Sequence, residues 1–310
     1  MARWSQHPLT LRQLQYVLAV AEHSSFRRAA EACAVAQPSL STQIAQIESA
    51  LGVRLFERLP RGVVVTTAGE EVLAHARRVL LAADDLVAAT EAARDPFAGP
   101  LRVGVIPTVA PYLLPELAPV LRSTYPGLLP HWHEDKTRVL VQAVSGGELD
   151  AAIVAVESEL GDLERAPLGR DPFLLAMPRG HPLARGRSPA SLDALEGETM
   201  LLLDDGHCFR DQTLAVCRRA GVDEASVRAT SLSTLAQMVA GGAGLTLLPA
   251  LALRMENRAR SLVVRPFGPR GPARTLALAW RKSSPRDAML RVLAACMRRV
   301  VLEVCARAGS

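Results

Sequence analysis

About 25 residues, Thr67 to Ala93, carry two apolar columns side by side. Val72, Val79 and Leu86 recur every seven residues, and Leu73, Leu80 and Val87 recur one position later. The pattern predicts one long helix capped by Thr67, with more apolar surface than a single domain needs to cover. One column is expected to pack on the preceding domain and the other on a second chain. Asp95-Pro96-Phe97-Ala98-Gly99-Pro100 then breaks the pattern, which predicts a hinge. Such a helix divides the 310 residues into a short leading segment and a long trailing one, with enough chain for two or three domains.

The leading segment reads as short helices. Leu14, Val17, Leu18 and Ala21 form a stripe over Leu11 to Glu22, and Ser24 and Ser25 can cap a second helix from Phe26 to Ala32. A third begins near Ala36, turns Leu40, Ile44, Ile47 and Leu51 inward and ends at Gly52. Its other face crowds Gln37, Ser39, Ser41, Thr42 and Gln43 into two turns, with Pro38 just inside the start. Short hydroxyl and amide side chains of this kind can approach a major-groove floor and offer donors and acceptors to bases and phosphates. Val53 to Glu57 and Val63 to Thr66 predict a hairpin wing with Arg58 and Arg61 at its tip. Seven Arg less four Glu leave residues 1–66 with a charge of +3, compatible with phosphate contact. Residues 1–66 are therefore expected to form a winged helix-turn-helix that binds double-stranded DNA. A small helical domain docking on protein is the competing reading, and Cys33 reads as core.

From Pro100 onward strands and helices alternate: Leu101 to Ile106, Ala110 to Ser123, Leu128 to Glu134, Thr137 to Ser145 and Ala151 to Val156. Phe173 to Met177, Met200 to Leu203, a helix from Phe209, Ser233 to Ala240, Leu245 to Leu248, Thr275 to Trp280 and Arg286 to Cys305 follow. Alternation predicts α/β sheets, and the number of elements predicts two subdomains with the chain crossing twice: I about 100–170 and 272–310, II about 171–271. Pro107-Thr108 stands at the carboxyl end of the first strand, the edge where open α/β sheets bind ligands. A helix cap is the plainer role for Thr108.

Asp204-Asp-Gly-His-Cys-Phe-Arg-Asp-Gln, running on to Cys217, is the stretch hardest to explain as scaffold. Cys208 is placed at the start of a helix, where unpaired N–H groups favour a thiolate, with His207 and Arg210 adding positive charge and Asp211 anchoring Arg210. Cys217 lies nine residues on, which along a helix is a rise of roughly 13 Å. A disulfide needs Cα atoms about 4.4 to 6.8 Å apart, so pairing these two requires the segment to unwind. Buried, inert thiols are the bland reading, and Cys296 and Cys305 share the same spacing in a terminal helix.

Ala29-Ala30-Glu31, Gln37-Pro38-Ser39-Leu40-Ser41, Leu55-Phe56-Glu57-Arg58 and Thr66-Thr67-Ala68-Gly69 resemble the DNA-binding domain of the LysR-type transcriptional regulators. Gly206-His207-Cys208-Phe209-Arg210-Asp211-Gln212 with Cys217, and Val105 to Pro115 around Thr108, resemble the peroxide-sensing members of that family. The resemblance implies residues 67–99 as linker helix and hinge, 100–310 as a regulatory domain like a periplasmic binding protein, and a homodimer or homotetramer. It further implies that Cys208 meets hydrogen peroxide held by Thr108, forms a sulfenic acid, and bonds to Cys217. Thiol reductants would reset the switch, and RNA polymerase would read it.

Five cysteines in a chain this long make no structural disulfide framework. No apolar run reaches the ~18 residues of a membrane span, and Met1 to Thr10 lacks a signal-peptide pattern, so a cytoplasmic protein away from membranes is expected. His131 and His133 alternate on a strand without a third ligand, and His207, Cys208 and Cys217 lack a fourth, so neither a metal nor another cofactor is assigned. Two further readings stay open: a LysR-type regulator of a small metabolite, and a thiol peroxidase or disulfide oxidoreductase, against which the helix-turn-helix argues.

Overall fold

Thr10 starts the first helix by a reciprocal cap. Its hydroxyl accepts from the Gln13 N–H at 3.3 Å, and the Gln13 side chain accepts from the Thr10 N–H at 2.9 Å. The computed structural model describes residues 7–60, 62–92, 95–186 and 189–307. The chain divides into two units, Met1–Thr90 and Glu91–Ser310.

In the first unit, α1 (Leu11–His23), α2 (Phe26–Ala32) and α3 (Gln37–Leu51) follow the expected stripes, with Ser25 capping α2 and Gly52, at φ 71°, closing α3. Leu14, Val17, Val20, Leu40, Ile44, Ile47 and Leu55 form one buried core. Each such side chain contributes about 1.5–3 kcal/mol of transfer free energy. The wing is shorter than expected: β1 (Phe56–Leu59) pairs antiparallel with β2 (Gly62–Val65). Arg58 accordingly stands in a strand, its guanidinium 4.2 Å from the Phe26 ring centroid, and not at the tip. The other expected tip residue, Arg61, lies outside the described residues.

The long helix α4 (Thr67–Ala92) forms as expected. Leu73 is buried and Val72 and Leu80 pack on the first core, whereas Val79, Leu86 and Val87 are exposed. Both face and position decide burial: Leu80 packs where its neighbour Val79 does not, and beyond Leu80 both columns are exposed at Leu86 and Val87.

The second unit opens with β3 (Gly99–Val105), α5 (Ala110–Thr124), β4 (Leu128–Glu134), α6 (Thr137–Gly146) and β5 (Ala151–Ala155). β3 runs parallel to both β4 and β5. β6 extends over Leu163–Pro178, much longer than the apolar run Phe173 to Met177 predicts. Its first half buries only Leu163 and Leu168 and carries Glu164, Arg165 and Arg170, which hides its strand character. β7 (Thr199–Leu203), α7 (Cys208–Ala220), β8 (Asp223–Ala229), α8 (Leu232–Ala240), β9 (Thr246–Pro249), α9 (Ala250–Glu256), β10 (Leu262–Pro266), β11 (Ala273–Arg281) and α10 (Asp287–Arg307) complete the unit. The strand order is β10-β6-β11-β5-β3-β4, with β9 also on β6 and β7 paired parallel with β8. β6 thus links two α/β subdomains: its early residues pair with β11, and its Phe173–Pro178 end pairs with β9 and β10. No described helix is long and apolar enough to cross a membrane.

Candidate functional site

The parallel strands β3 and β4 end side by side, so the corners that follow them meet. Thr108 stands after β3 and Thr137 opens α6 after β4, both buried. The loop from β7 to α7 comes against these corners. Ile106, Pro107, Thr108, Lys136, Thr137, His207 and Cys208 line one narrow crevice, with no room for a water-sized sphere. Cys208 lies on its wall and also on the rim of a wider cleft of about 810 Å³, which Asp211, Gln212 and Arg219 help to line.

The loop's shape follows from Gly206, at φ 87°, where an L side chain would be strained and a Cβ would meet Lys136 Nζ at 3.0 Å. His207 precedes α7 with extended backbone and makes no side-chain cap bond, so the positive end of the helix sits at Cys208, its first residue. Cys208 is half-buried, while Cys217, on the same helix, is 3% exposed. Burial pushes the Cys217 thiol up, and the Glu224 carboxylate adds to that. Both cysteines are free thiols.

The basic neighbours expected around Cys208 play other parts. His207 is 8% exposed; burial, and then the Lys136 ammonium, push its pKa below the usual imidazole value, so the neutral ring is favoured. Arg210 is 6% exposed and donates to Asp205 Oδ1 at 2.8 Å and to Glu224 at 2.6 and 3.1 Å. Arg228 bonds the same two carboxylates, at 2.8 Å to Asp205 and 3.1 Å to Glu224. Arg210 is therefore matched by Asp205 and Glu224, and not by Asp211, which faces the wider cleft. A guanidinium so engaged adds little free charge to its surroundings.

Thr108 is held by a residue that the sequence did not single out. Arg274, fully buried, donates to Thr108 Oγ1 at 2.6 Å and to the Thr108 carbonyl at 2.9 Å. Its Nε donates to the equally buried Asp171 at 2.9 Å, and its guanidinium lies 5.6 Å from the Phe209 ring centroid. One lone pair of the Thr108 hydroxyl is thus occupied by Arg274, which leaves its proton available for donation elsewhere. Thr137 Oγ1 and both polar atoms of the Gln212 amide are buried without a hydrogen-bond partner among the described residues. Unpartnered polar atoms beside a crevice are what a small polar ligand would satisfy. Thr137 was legible only as a helix start; its equivalence to Thr108 needs the parallel pairing of β3 and β4.

In the first unit, Gln37, Pro38, Ser39 and Thr42 are exposed on the opening turns of α3, and Ser41 and Gln43 are half-buried there. Gln43 accepts from Gln13 Nε2 at 3.1 Å, and Thr42 donates to the Pro38 carbonyl at 3.0 Å. His131 and His133 are exposed on β4, and no group of three or more metal-ligating side chains occurs among the described residues.

The family profile of the bacterial regulatory helix-turn-helix protein, lysR family, matches residues 11–70, and that of the LysR substrate binding domain matches residues 94–302. The DNA-binding transcriptional dual regulator OxyR of Escherichia coli is 43% identical over 291 residues, covering 94% of this chain and 95% of that protein. A full-length OxyR cysteine-to-aspartate variant from Pseudomonas aeruginosa superposes with a TM-score of 0.77 at 37% identity, over 94% of this chain and 96% of that one. A cysteine-to-serine variant of Corynebacterium glutamicum OxyR, bound to hydrogen peroxide, gives a TM-score of 0.68 at 37% identity, over 98% and 96%. With its helix-turn-helix, its paired α/β subdomains and its half-buried cysteine at the start of α7, the chain belongs to the LysR-type transcriptional regulators, DNA-binding proteins and not enzymes, and within them to the OxyR group.

Proposed function

We propose that this regulator senses hydrogen peroxide through Cys208 and Cys217. The observation that carries this reading is the seating of Cys208 at the uncapped start of α7, on the wall of the crevice that Thr108 and Thr137 share. Its OxyR relatives, one of them bound to hydrogen peroxide, support the choice of ligand. The Cys208 thiolate attacks one peroxide oxygen, the O–O bond breaks, and hydroxide leaves as the sulfenic acid forms. Thr108, its hydroxyl oriented by Arg274, donates toward the leaving oxygen. Cys217 then displaces water from the sulfenic sulfur and closes the disulfide.

That second step moves backbone. Nine helical residues separate the two sulfur-bearing positions by roughly 13 Å of rise. α7 has to unwind from its amino end, which pulls Arg210 from Asp205 and Glu224. A refolded loop alters how the subdomains pack in the assembly and so changes the spacing of paired DNA-binding domains. The exposed Val79, Leu86 and Val87 support pairing of α4 with a second copy, in a dimer or tetramer. Gln37, Pro38, Ser39, Ser41, Thr42, Gln43, Arg58 and Arg61 would face double-stranded DNA, RNA polymerase would respond to the altered complex, and cytosolic thiol reductants would reset it.

Mass spectrometry of peroxide-treated protein tests this reading. A Cys208–Cys217 linkage is expected, and Cys217→Ser is expected to retain a sulfenic acid at Cys208 while losing the disulfide. A linkage of Cys208 to any other cysteine would overturn it.

A further inference from the structure

Asp205 is held from two sides. Its carboxylate bonds Arg210 and Arg228, while its backbone carbonyl accepts from Lys136 Nζ at 2.8 Å. Lys136 belongs to the corner between β4 and α6 and stands 69 residues from Asp205 in sequence. Its side chain lies across Gly206: a Cβ there would come within 3.0 Å of both Cδ and Nζ. Lys136 also lines the crevice that contains Cys208 and Thr108. The nearby Lys136 ammonium also adds to the downward push of burial on the His207 pKa.

We infer that Lys136 is a positioning residue for the cysteine loop, its bond to the Asp205 carbonyl holding Gly206 and Cys208 against the corners that carry Thr108 and Thr137. This inference rests on the peroxide reading above. The bond goes to a main-chain atom, so it responds to where the loop is and not to which side chains the loop carries. It also joins elements of the two subdomains, β4–α6 on one side and β7–α7 on the other. Unwinding α7 to bring Cys208 to Cys217 draws the Asp205 carbonyl away from Lys136, so the same bond favours the seat from which Cys208 reacts and resists the departure that follows.

The test compares Lys136→Met, which keeps length but loses the donor, with Lys136→Gln, which keeps a donor without charge. Hydrogen exchange of the 205–210 amides is read on the reduced protein, and sulfenic acid formation at Cys208 is timed in a Cys217→Ser background with a sulfenic-acid trap. Lys136→Met is expected to speed loop exchange and slow sulfenic acid formation, each by roughly three- to tenfold, the weight of one hydrogen bond. Lys136→Gln is expected to restore both in part, since its amide still donates, though as a neutral and shorter group. Unchanged exchange in Lys136→Met overturns the inference, and so does a Lys136→Gln protein as impaired as Lys136→Met, which would assign the effect to charge. Exchange needs no peroxide chemistry, so it judges the loop's hold even where Cys208 forms no sulfenic acid, and the two readings fail separately.

Discussion

Two helices of this protein carry cysteines nine residues apart, Cys208 and Cys217 on α7 and Cys296 and Cys305 on α10, and the surroundings of the two pairs have little in common. Cys208 is the first residue of its helix, preceded by a loop with a left-handed glycine, and α7 rests on β7. Both α10 cysteines lie inside a longer helix whose Leu290, Leu293, Met297, Val300 and Val301 are core, packed against β6 and α5. Cys305 has Asp171 Oδ1 at 3.9 Å, and burial followed by that carboxylate pushes its thiol up to about 12. Identical spacing therefore gives one pair whose first thiol opens a helix beside a crevice and another set along the body and last turns of a longer packed helix. What separates the pairs is the place of Cys208 at the uncapped amino end of its helix, not the interval between the cysteines.

The most severe challenge to that contrast is substitution of the thiols. Cys208→Ser is expected to abolish the peroxide-induced disulfide and the transcriptional response completely. Cys296→Ser and Cys305→Ser should leave both within about twofold of the unsubstituted protein, because conservative core changes cost little beyond stability. Peptide mapping and a reporter assay check this, and a peroxide response that needs Cys296 would erase the distinction.

Thr108→Val sharpens it by leaving the thiols intact. The change strips the hydroxyl from the crevice and leaves a buried Arg274 donor unmatched, at about 1–3 kcal/mol of stability. Oxidation of Cys208 is expected to slow by about tenfold or more, followed by sulfenic acid trapping, with α10 unaltered. A rate equal to that of the parent would remove Thr108 from the site.

Alkylation against pH separates the thiols more gently. At pH near 8, iodoacetamide is expected to modify Cys208 and to spare Cys305, whose labelling rises only as pH nears about 12. The sign for stability follows: a thiol raised from 9.0 to about 12 in the fold contributes fully below pH 9 and loses that contribution as pH climbs from 9 toward 12. Equal labelling of both residues at pH 8 would contradict the assignment.

His207 gives the smallest effect. Its pKa is lowered in the fold from 6.5, so the unfolded chain binds more protons just below that pH. Its contribution is present above pH 6.5 and is lost as pH falls below it. Chemical denaturation between pH 7 and 5 should show a shallower decline for His207→Gln than for the parent.

Much of the fold was legible because its signals are local. The stripe Leu40, Ile44 and Ile47 is a property of one helix, and the run Met200 to Leu203 is buried in any strand that enters a core. The same holds for the cysteine loop, whose Gly206, His207 and Cys208 announce a turn into a helix. The first strand of the wing was read a few residues too early because β1 takes its bounds from its pairing with β2 and not from its own composition. β8, with Asp223, Glu224 and Arg228, was missed for a like reason: its strand identity comes from β7 and its charges from the ring around Arg210.

By itself the sequence determined the main strands and helices on either side of α4, the polar face of α3, the loop that leads into Cys208 and the threonine at the end of the first strand of the second unit, since each depends on neighbours a few residues away. Only the tertiary structure decided that Arg274 grips Thr108 across 166 residues, that Asp171 matches Arg274 across 103, and that Lys136 reaches the cysteine loop across 69. Those pairings are set by which strands lie side by side and which way they run, and a hydrogen bond extends about 3 Å whatever the separation along the chain.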